Sequence, residues 1–217
     1  MAINYNFWKN KNVFITRLSH HLRKQRIGLM GGSFNPAHQA HKEIAEVAKK
    51  QAKLSEIWWL VSPKNPLKSD INMMSFEHRL LSAIMVANNV PWLKVLDYEH
   101  QLQIANCFPN KRASTIITLS RLRLQFPVTS FIWIMGADNL IQFFQWKDAH
   151  RIAKLVDIFV MNRPDFTFKA LSSKSVAILG SRCPPSHLGT GHKRKWAFSF
   201  STRNTLSATK IRKNMPN

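Results

Sequence analysis

The stretch GGSFNPAHQAH, residues 31–41, gathers residue types that handle phosphate. Gly31 and Gly32 let a backbone turn sharply and bring its N–H groups close to a ligand. Ser33 supplies a hydroxyl donor. The Asn35-Pro36 step stiffens the turn and starts a helix. His38 and His41 stand three apart at the start of that helix, so both rings are expected on one face. A helix N-terminus adds unpaired N–H groups and positive partial charge. Together these features read as a phosphate cradle, with imidazoles placed to donate to phosphate oxygens. Two other readings stay open on the residues alone. Paired histidines can ligate zinc, although helical metal pairs more often use other geometry, and a tight turn can carry two surface histidines with no function. The stretch lacks the G-K-[ST] ending of a Walker loop and does not match the dinucleotide G-x-G-x-x-G fingerprint.

The elements that must hold this stretch alternate along the chain. RIGLM (26–30), EIWWLVS (56–62), WLKVLD (92–97), SFIWIMG (130–136) and VDIFVMN (156–162) read as five strands, with SVAIL (175–179) as a sixth. Helical spacing predicts helices over 38–54, over 75–89 with Ser75 as N-cap, and over 114–126. NLIQFFQW and DAHRIAKL read as short helices, and 207–214 as a terminal helix capped by Ser207. Continuous apolar strands alternating with helices imply a parallel sheet covered on both faces. The expected fold is therefore α/β, a Rossmann-like doubly wound parallel sheet in a single domain. Residues 26–217 form that domain, and 1–25 form a basic N-terminal arm. In such sheets the ligand sits at the carboxyl ends of the strands, where strand order reverses. The first strand ends at Met30, which puts 31–41 there.

Bulk properties narrow the partners. The chain has 217 residues with a formal net charge of +21. Such a surface attracts polyanions: nucleic acid, anionic lipid or small phosphorylated molecules. No zinc-finger spacing, RNP-like motif or heptad basic region accompanies it, so the charge says anion without saying which one. No apolar run approaches the ~20 residues that span a bilayer. The arm is basic and acid-free, which suits a transit peptide superficially, but a solvated or loosely docked arm is the expectation. Cys107 and Cys183 show neither metal spacing nor a disulfide framework, so a cytoplasmic setting is expected.

GGSFNPAHQAH resembles the G-G-[ST]-F-[ND]-P-x-H-x-G-H signature of the nucleotidyltransferase α/β-phosphodiesterase superfamily, with Ala40 in place of the usual glycine. Alanine fits if the helix has begun by that position. LSATKIR (206–212) resembles the superfamily's I-S-[SA]-T-x-I-R motif. Alone it is a capped basic helix; paired with the first motif it is hard to ascribe to accident. IWWLVSPKNPLKSD (57–70), FIWIMGADNLIQFFQWKD (131–148) and VMNRPDF (160–166) look like nicotinate-nucleotide adenylyltransferases, and the similarity covers roughly residues 26 to 213.

The resemblance implies adenylyl transfer from ATP to nicotinate mononucleotide, giving nicotinate adenine dinucleotide and pyrophosphate in NAD biosynthesis. Mg²⁺ would arrive with ATP, and the protein itself would hold no metal. His38, His41 and Arg212 would be the catalytic residues. Gly31, Gly32, Ser33, Phe34, Gly136, Asp138, Arg163, Ser207 and Thr209 would bind ATP. Lys68, Thr115, Thr118 and Trp146 would bind the mononucleotide, with Trp146 stacked on the pyridine ring. Read without the resemblance, Asp138 is a helix cap, Arg163 a surface arginine, Lys68 a solvated lysine and Trp146 a packing residue. STIITL resembles a Y-T-x-x-T-L segment, but Ser114 replaces the aromatic and Ile117 a polar residue. Nucleic acid is not the expected partner, and a homo-oligomer is allowed. The alternatives are a sister enzyme acting on nicotinamide mononucleotide or pantetheine phosphate, or a non-catalytic basic nucleic-acid binder.

Overall fold

Apolar runs bounded by polar turns set the strands. A computed structural model describes residues 25–63, 73–107, 114–163, 165–191 and 194–201. The strands are β1 (Arg26–Gly32), β2 (Glu56–Val61), β3 (Leu93–Leu96), β4 (Ser130–Gly136), β5 (Asp157–Met161), β6 (Ser181–Arg182) and β7 (Lys195–Ser199). All pairings are parallel, in the order β3-β2-β1-β4-β5-β7-β6. The helices are α1 (Gln39–Gln51), α2 (Phe76–Ala87), α3 (Tyr98–Ile104), α4 (Thr115–Gln125), α5 (Ala137–Gln142), α6 (Ala149–Leu155) and α7 (Thr167–Leu171).

Alternation along each strand splits the core into two layers. Leu29, Trp58, Leu60, Trp133 and Ile158 face one layer, closed by Leu119 of α4, Leu140 of α5 and Ile152 of α6. Ile57, Trp59, Val61, Ile134 and Phe159 face the other, closed by Ala45 and Ala48 of α1 and Ala83 of α2. Alanines at those contacts let α1 and α2 lie close to the sheet. Adjacent Trp58 and Trp59 are both fully buried, one in each layer.

Ser75 caps α2 as its type and position suggest, accepting from His78 N–H at 3.3 Å. Four elements differ from expectation. SVAIL is a 3₁₀ turn (Lys174–Ile178), not a strand; the buried Ser175 hydroxyl accepts the Phe144 N–H at 3.0 Å and holds the segment there. The sixth strand is the short Ser181–Arg182 on the sheet edge. β7 and α3 carry no expectation from the sequence. The arm to residue 24, Lys68 and the expected helix over 207–214 lie outside the described residues.

β7 joins the sheet beside β5 after a long connection, and Asp157 holds that connection down. At the amino end of β5 its carboxylate accepts N–H bonds from Gly189 (2.7 Å) and Lys195 (3.0 Å). Arg26 at the start of β1 adds bonds to the carbonyls of Ser186 and Leu188, at 2.9 and 3.3 Å. Asp157→Ala strands two N–H donors and is expected to cost ~1–3 kcal/mol in urea unfolding. An unchanged midpoint would show that the connection does not need this anchor.

Candidate active site

β1 and β4 are neighbours, with β2 and β3 on one side and β5, β7 and β6 on the other. Strand order reverses between them, so a crevice opens beyond Gly32 and Gly136. Residues 31–41 line one wall of it.

The turn is made differently from the expected way. Gly31 and Gly32 are extended residues of β1, and the left-handed position is Phe34 (φ 46°). Phe34 is buried, its ring stacked on Trp59 with centroids 5.0 Å apart. That packing holds a non-glycine residue in a costly conformation. Gly31 is needed for close approach instead: a Cβ there would sit 2.5 Å from Cη2 of Trp133. Gly136 likewise leaves room for the Asp138 carboxylate.

His38 is not the first helical residue, as expected, but the N-cap of α1, with extended backbone (φ −151°, ψ 168°). The two imidazoles still lie side by side, centroids 3.9 Å apart. The His38 main-chain N–H donates to Nδ1 of His41 at 3.2 Å. A neutral His41 therefore carries its proton on Nε2. The His41 N–H is taken by the His38 carbonyl at 2.9 Å. Nδ1 of His38 and the Ser33 hydroxyl are buried, with no hydrogen-bond partner among the described residues. Burial lowers the His38 pKa, and the positive field of Arg163 lowers it further, against a weaker pull from Glu43. Ala40 is buried inside α1 and has no positive φ, so the helix has begun where a glycine would be usual.

Asp138 and Arg163 face each other across the ends of β4 and β5. Arg163 Nη1 bonds Asp138 Oδ2 at 2.5 Å, both side chains partly exposed. Asp138 lies in the first turn of α5 but makes no cap bond; its partner is Arg163.

Trp146 and the helix α4 that carries Thr115 and Thr118 pack on the other layer of the core from α1. Trp146 is half-buried, edge-on to Phe143 (5.4 Å) and Trp133 (6.2 Å). Thr115 opens α4 and is half-buried, after Ser114 at the N-cap position, while Ile117 packs against the core. Thr118 is fully buried, with its hydroxyl 3.0 Å from Glu99 Oε1 and 3.2 Å from the Ser114 carbonyl. The hydroxyl donates toward both acceptors. Burial raises the Glu99 pKa, against the hydrogen bonds from Thr118 and Ser62.

Two residues of this region escaped the sequence reading. Glu99 sits in YEHQLQI and Arg79 in FEHRLL, both polar-looking helical stretches. Arg79 is 1 % exposed and bonds only main-chain carbonyls. Neither has a sequence signal beyond its type, because burial of one charged residue on a short helix leaves the periodicity unchanged. The zinc reading of the histidine pair finds no third ligand, since no cluster of three His, Cys, Asp or Glu exists among the described residues. Lys68, Ser207, Thr209 and Arg212 lie outside those residues.

The cytidylyltransferase-like family profile matches residues 29–214. A probable nicotinate-nucleotide adenylyltransferase of Agrobacterium fabrum is 38% identical over 192 residues, covering 87% of this chain and 98% of that protein. A protein of the same name from Parvibaculum lavamentivorans is 43% identical over 154 residues, covering 71% and 72%. The chain belongs to the nicotinate-nucleotide adenylyltransferase family. It is a nucleotidyltransferase enzyme. The fold is shared with a Plasmodium falciparum nicotinic acid mononucleotide adenylyltransferase solved with NaAD, at a TM-score of 0.66 and 16% identity over 87% of this chain and 83% of that one.

In this adenylyltransferase the Glu99 contacts carry a pH signature. A carboxyl whose folded pKa is raised contributes stability that is full below its unfolded value and lost as pH rises through the folded pKa. Wild-type stability is therefore expected to fall with rising pH above the ordinary glutamate range. Glu99→Gln keeps a side-chain oxygen to accept from Thr118 and removes the titration. Urea midpoints between about pH 5 and pH 8 should slope less for Glu99→Gln than for wild type. Equal slopes would mean that Glu99 does not carry the dependence.

Proposed function

We propose that the chain transfers AMP from ATP to nicotinate mononucleotide, releasing pyrophosphate and forming nicotinate adenine dinucleotide for NAD biosynthesis. The observation that carries this reading is the pair of buried, unpartnered polar atoms, Ser33 Oγ and His38 Nδ1, in a turn beside His41 at a helix N-terminus. Buried polar atoms without partners are costly, and phosphate oxygens offer the acceptors and counter-charge that such a cradle lacks.

An ionised phosphate oxygen of the mononucleotide attacks the α-phosphorus of ATP in line, and the bond to pyrophosphate breaks. The attacking oxygen is already anionic, so the step needs no general base and no covalent enzyme intermediate. The protein supplies alignment and donors. His41 donates through Nε2–H, with Ser33, His38 and Arg163 beside it. Gly31, Gly32 and Gly136 keep the backbone close, Phe34 anchors the turn, and Asp138 orients Arg163 near the ribose and phosphates. Arg212, Ser207 and Thr209 are assigned to the leaving pyrophosphate. Lys68 is assigned to the acceptor phosphate, and Thr115 and Trp146 to the pyridine ring; Thr118, expected there too, is fully buried with its hydroxyl engaged by Glu99 and offers no surface to a ligand.

ATP enters as its magnesium complex; the ion neutralises phosphate charge and belongs to the substrate. We assign the reaction to the cytoplasm, where ATP is available and where Cys107 and Cys183 would remain free thiols. No helix among the described residues is long and apolar enough to cross a membrane.

Pyrophosphate release from ATP and Mg²⁺ tests the reading, with nicotinate mononucleotide, its amide and pantetheine phosphate supplied separately. Preference for the acid supports it. Preference for the amide or for pantetheine phosphate transfers the site to a sister reaction. No release with any acceptor overturns it, and salt-dependent DNA binding would then favour a basic binder. His41→Ala is expected to lower kcat by roughly 10²–10³-fold, the effect of losing one charge-stabilising donor. A rate near wild type would remove His41 from the machinery.

A further inference from the structure

Glu99 sits in the first turn of α3, buried at 6 % exposure, and takes no part in the proposed reaction. Its carboxyl makes no ion pair among the described residues. What it meets are two hydroxyls. Thr118 Oγ1 of α4 donates to Oε1 at 3.0 Å, and the Ser62 side chain bonds the same carboxyl. A buried carboxyl held by hydroxyls alone is costly to build, and an apolar side chain would fill the same space more cheaply.

The places of the two hydroxyls suggest what the carboxyl is for. Ser62 follows the last residue of β2. Its N–H donates to the Gly32 carbonyl at 2.9 Å. Its carbonyl and that of Ser33 both accept from Arg79 Nη1, each at 2.7 Å. Ser62 is therefore fixed to the start of the 31–41 turn by bonds that do not involve Glu99. Thr118 lies one turn into α4. Its hydroxyl also donates toward the carbonyl of Ser114 at 3.2 Å, while the Ser114 side chain makes no capping bond. The turn between them carries the half-buried Thr115. α3 packs on β2, and α4 packs on α6. One carboxyl thus ties two packed pairs of elements together, the end of a strand in one to the start of a helix in the other.

We infer that Glu99 is a positioning residue: by holding Thr118 to Ser62 it fixes the first turn of α4, and with it Thr115, relative to the ATP cradle, and so places the pyridine ring of the acceptor. The inference rests on the reading of 31–41 as the ATP cradle and of Thr115 as a pyridine contact. A hydrogen bond fixes direction as well as distance, which apolar packing of equal volume does not. That is a reason for a carboxyl where a leucine would pack as well.

The test compares Glu99→Leu with Glu99→Gln on the full chain. Leucine fills the space and accepts no hydrogen bond, whereas glutamine keeps an oxygen for Thr118. KM for nicotinate mononucleotide and kcat are measured at saturating ATP, and the ATP dissociation constant is measured calorimetrically without acceptor. The calorimetric stoichiometry counts folded sites, so kcat is expressed per ATP-binding site. Glu99→Leu is expected to raise KM on the order of tenfold, the scale of one hydrogen bond, with kcat per site and ATP affinity close to wild type. Such a split marks lost acceptor binding rather than lost chemistry. Glu99→Gln is expected to restore KM to near the wild-type value. An unchanged KM in Glu99→Leu would reduce Glu99 to a packing residue and overturn the inference. ATP affinity falling in step with the rise in KM would also overturn it, because the cradle itself would then depend on Glu99. A glutamine variant as impaired as the leucine one would overturn it too, since the hydrogen bond to Thr118 would not be what matters. If Glu99→Leu does not fold, Thr118→Val, which removes the donating hydroxyl at nearly constant volume, is read by the same KM and ATP criteria. Wild-type protein run in parallel separates the two levels: no turnover there sinks the proposed reaction, whereas wild-type turnover with an unaffected variant sinks the role of Glu99.

Discussion

A parallel sheet buried on both faces has no polar surface to offer a ligand. Trp58, Trp59, Ile132 and Phe159 are sealed under helices, so the strands contribute chemistry only where they end. Reversal of strand order between β1 and β4 sends the following segments to opposite sides, and the gap between them is a place where two strand ends and helix N-termini converge. A β1 ending in glycines lets the Trp133 indole close in from beside it. The 31–41 turn is thus built on a fully packed base.

Two ionisable side chains are buried under that base and meet the cost of burial in opposite ways. Arg79 keeps its charge and spreads it over four carbonyls. Glu99 has no comparable set of donors, and burial drives it toward the neutral acid. Main-chain carbonyls solvate a cation well, whereas a carboxyl with few donors is driven toward its neutral form by burial. Both groups reach Ser62, one through its carbonyl and one through its side chain. The end of β2 is therefore held from both layers of the core.

The strands β1 to β5 were legible because continuous apolar runs have few other folded fates, and α2 because Ser75 caps it in the usual way. β7 was not, because its apolar run WAFS follows a basic stretch and its place is set by Asp157, far away in sequence. SVAIL has strand composition, but the bond from Phe144 to Ser175 overrides it. At the site, the residue types were legible and their reasons were not. Glycine suggested turning, yet the left-handed residue is Phe34, held by stacking on Trp59. Arg79 and Glu99 were invisible because nothing in a helical pattern marks one charged residue as buried.

Imidazoles rather than lysines suit this cradle for an electrostatic reason. A lysine at position 38 would stay charged beside Arg163 and repel it whenever the site is free of anions. His38 escapes much of that repulsion, because burial and Arg163 together lower its pKa. Negative charge brought against His38 would favour the imidazolium again, so the charge of this side chain follows its surroundings where a lysine's would not.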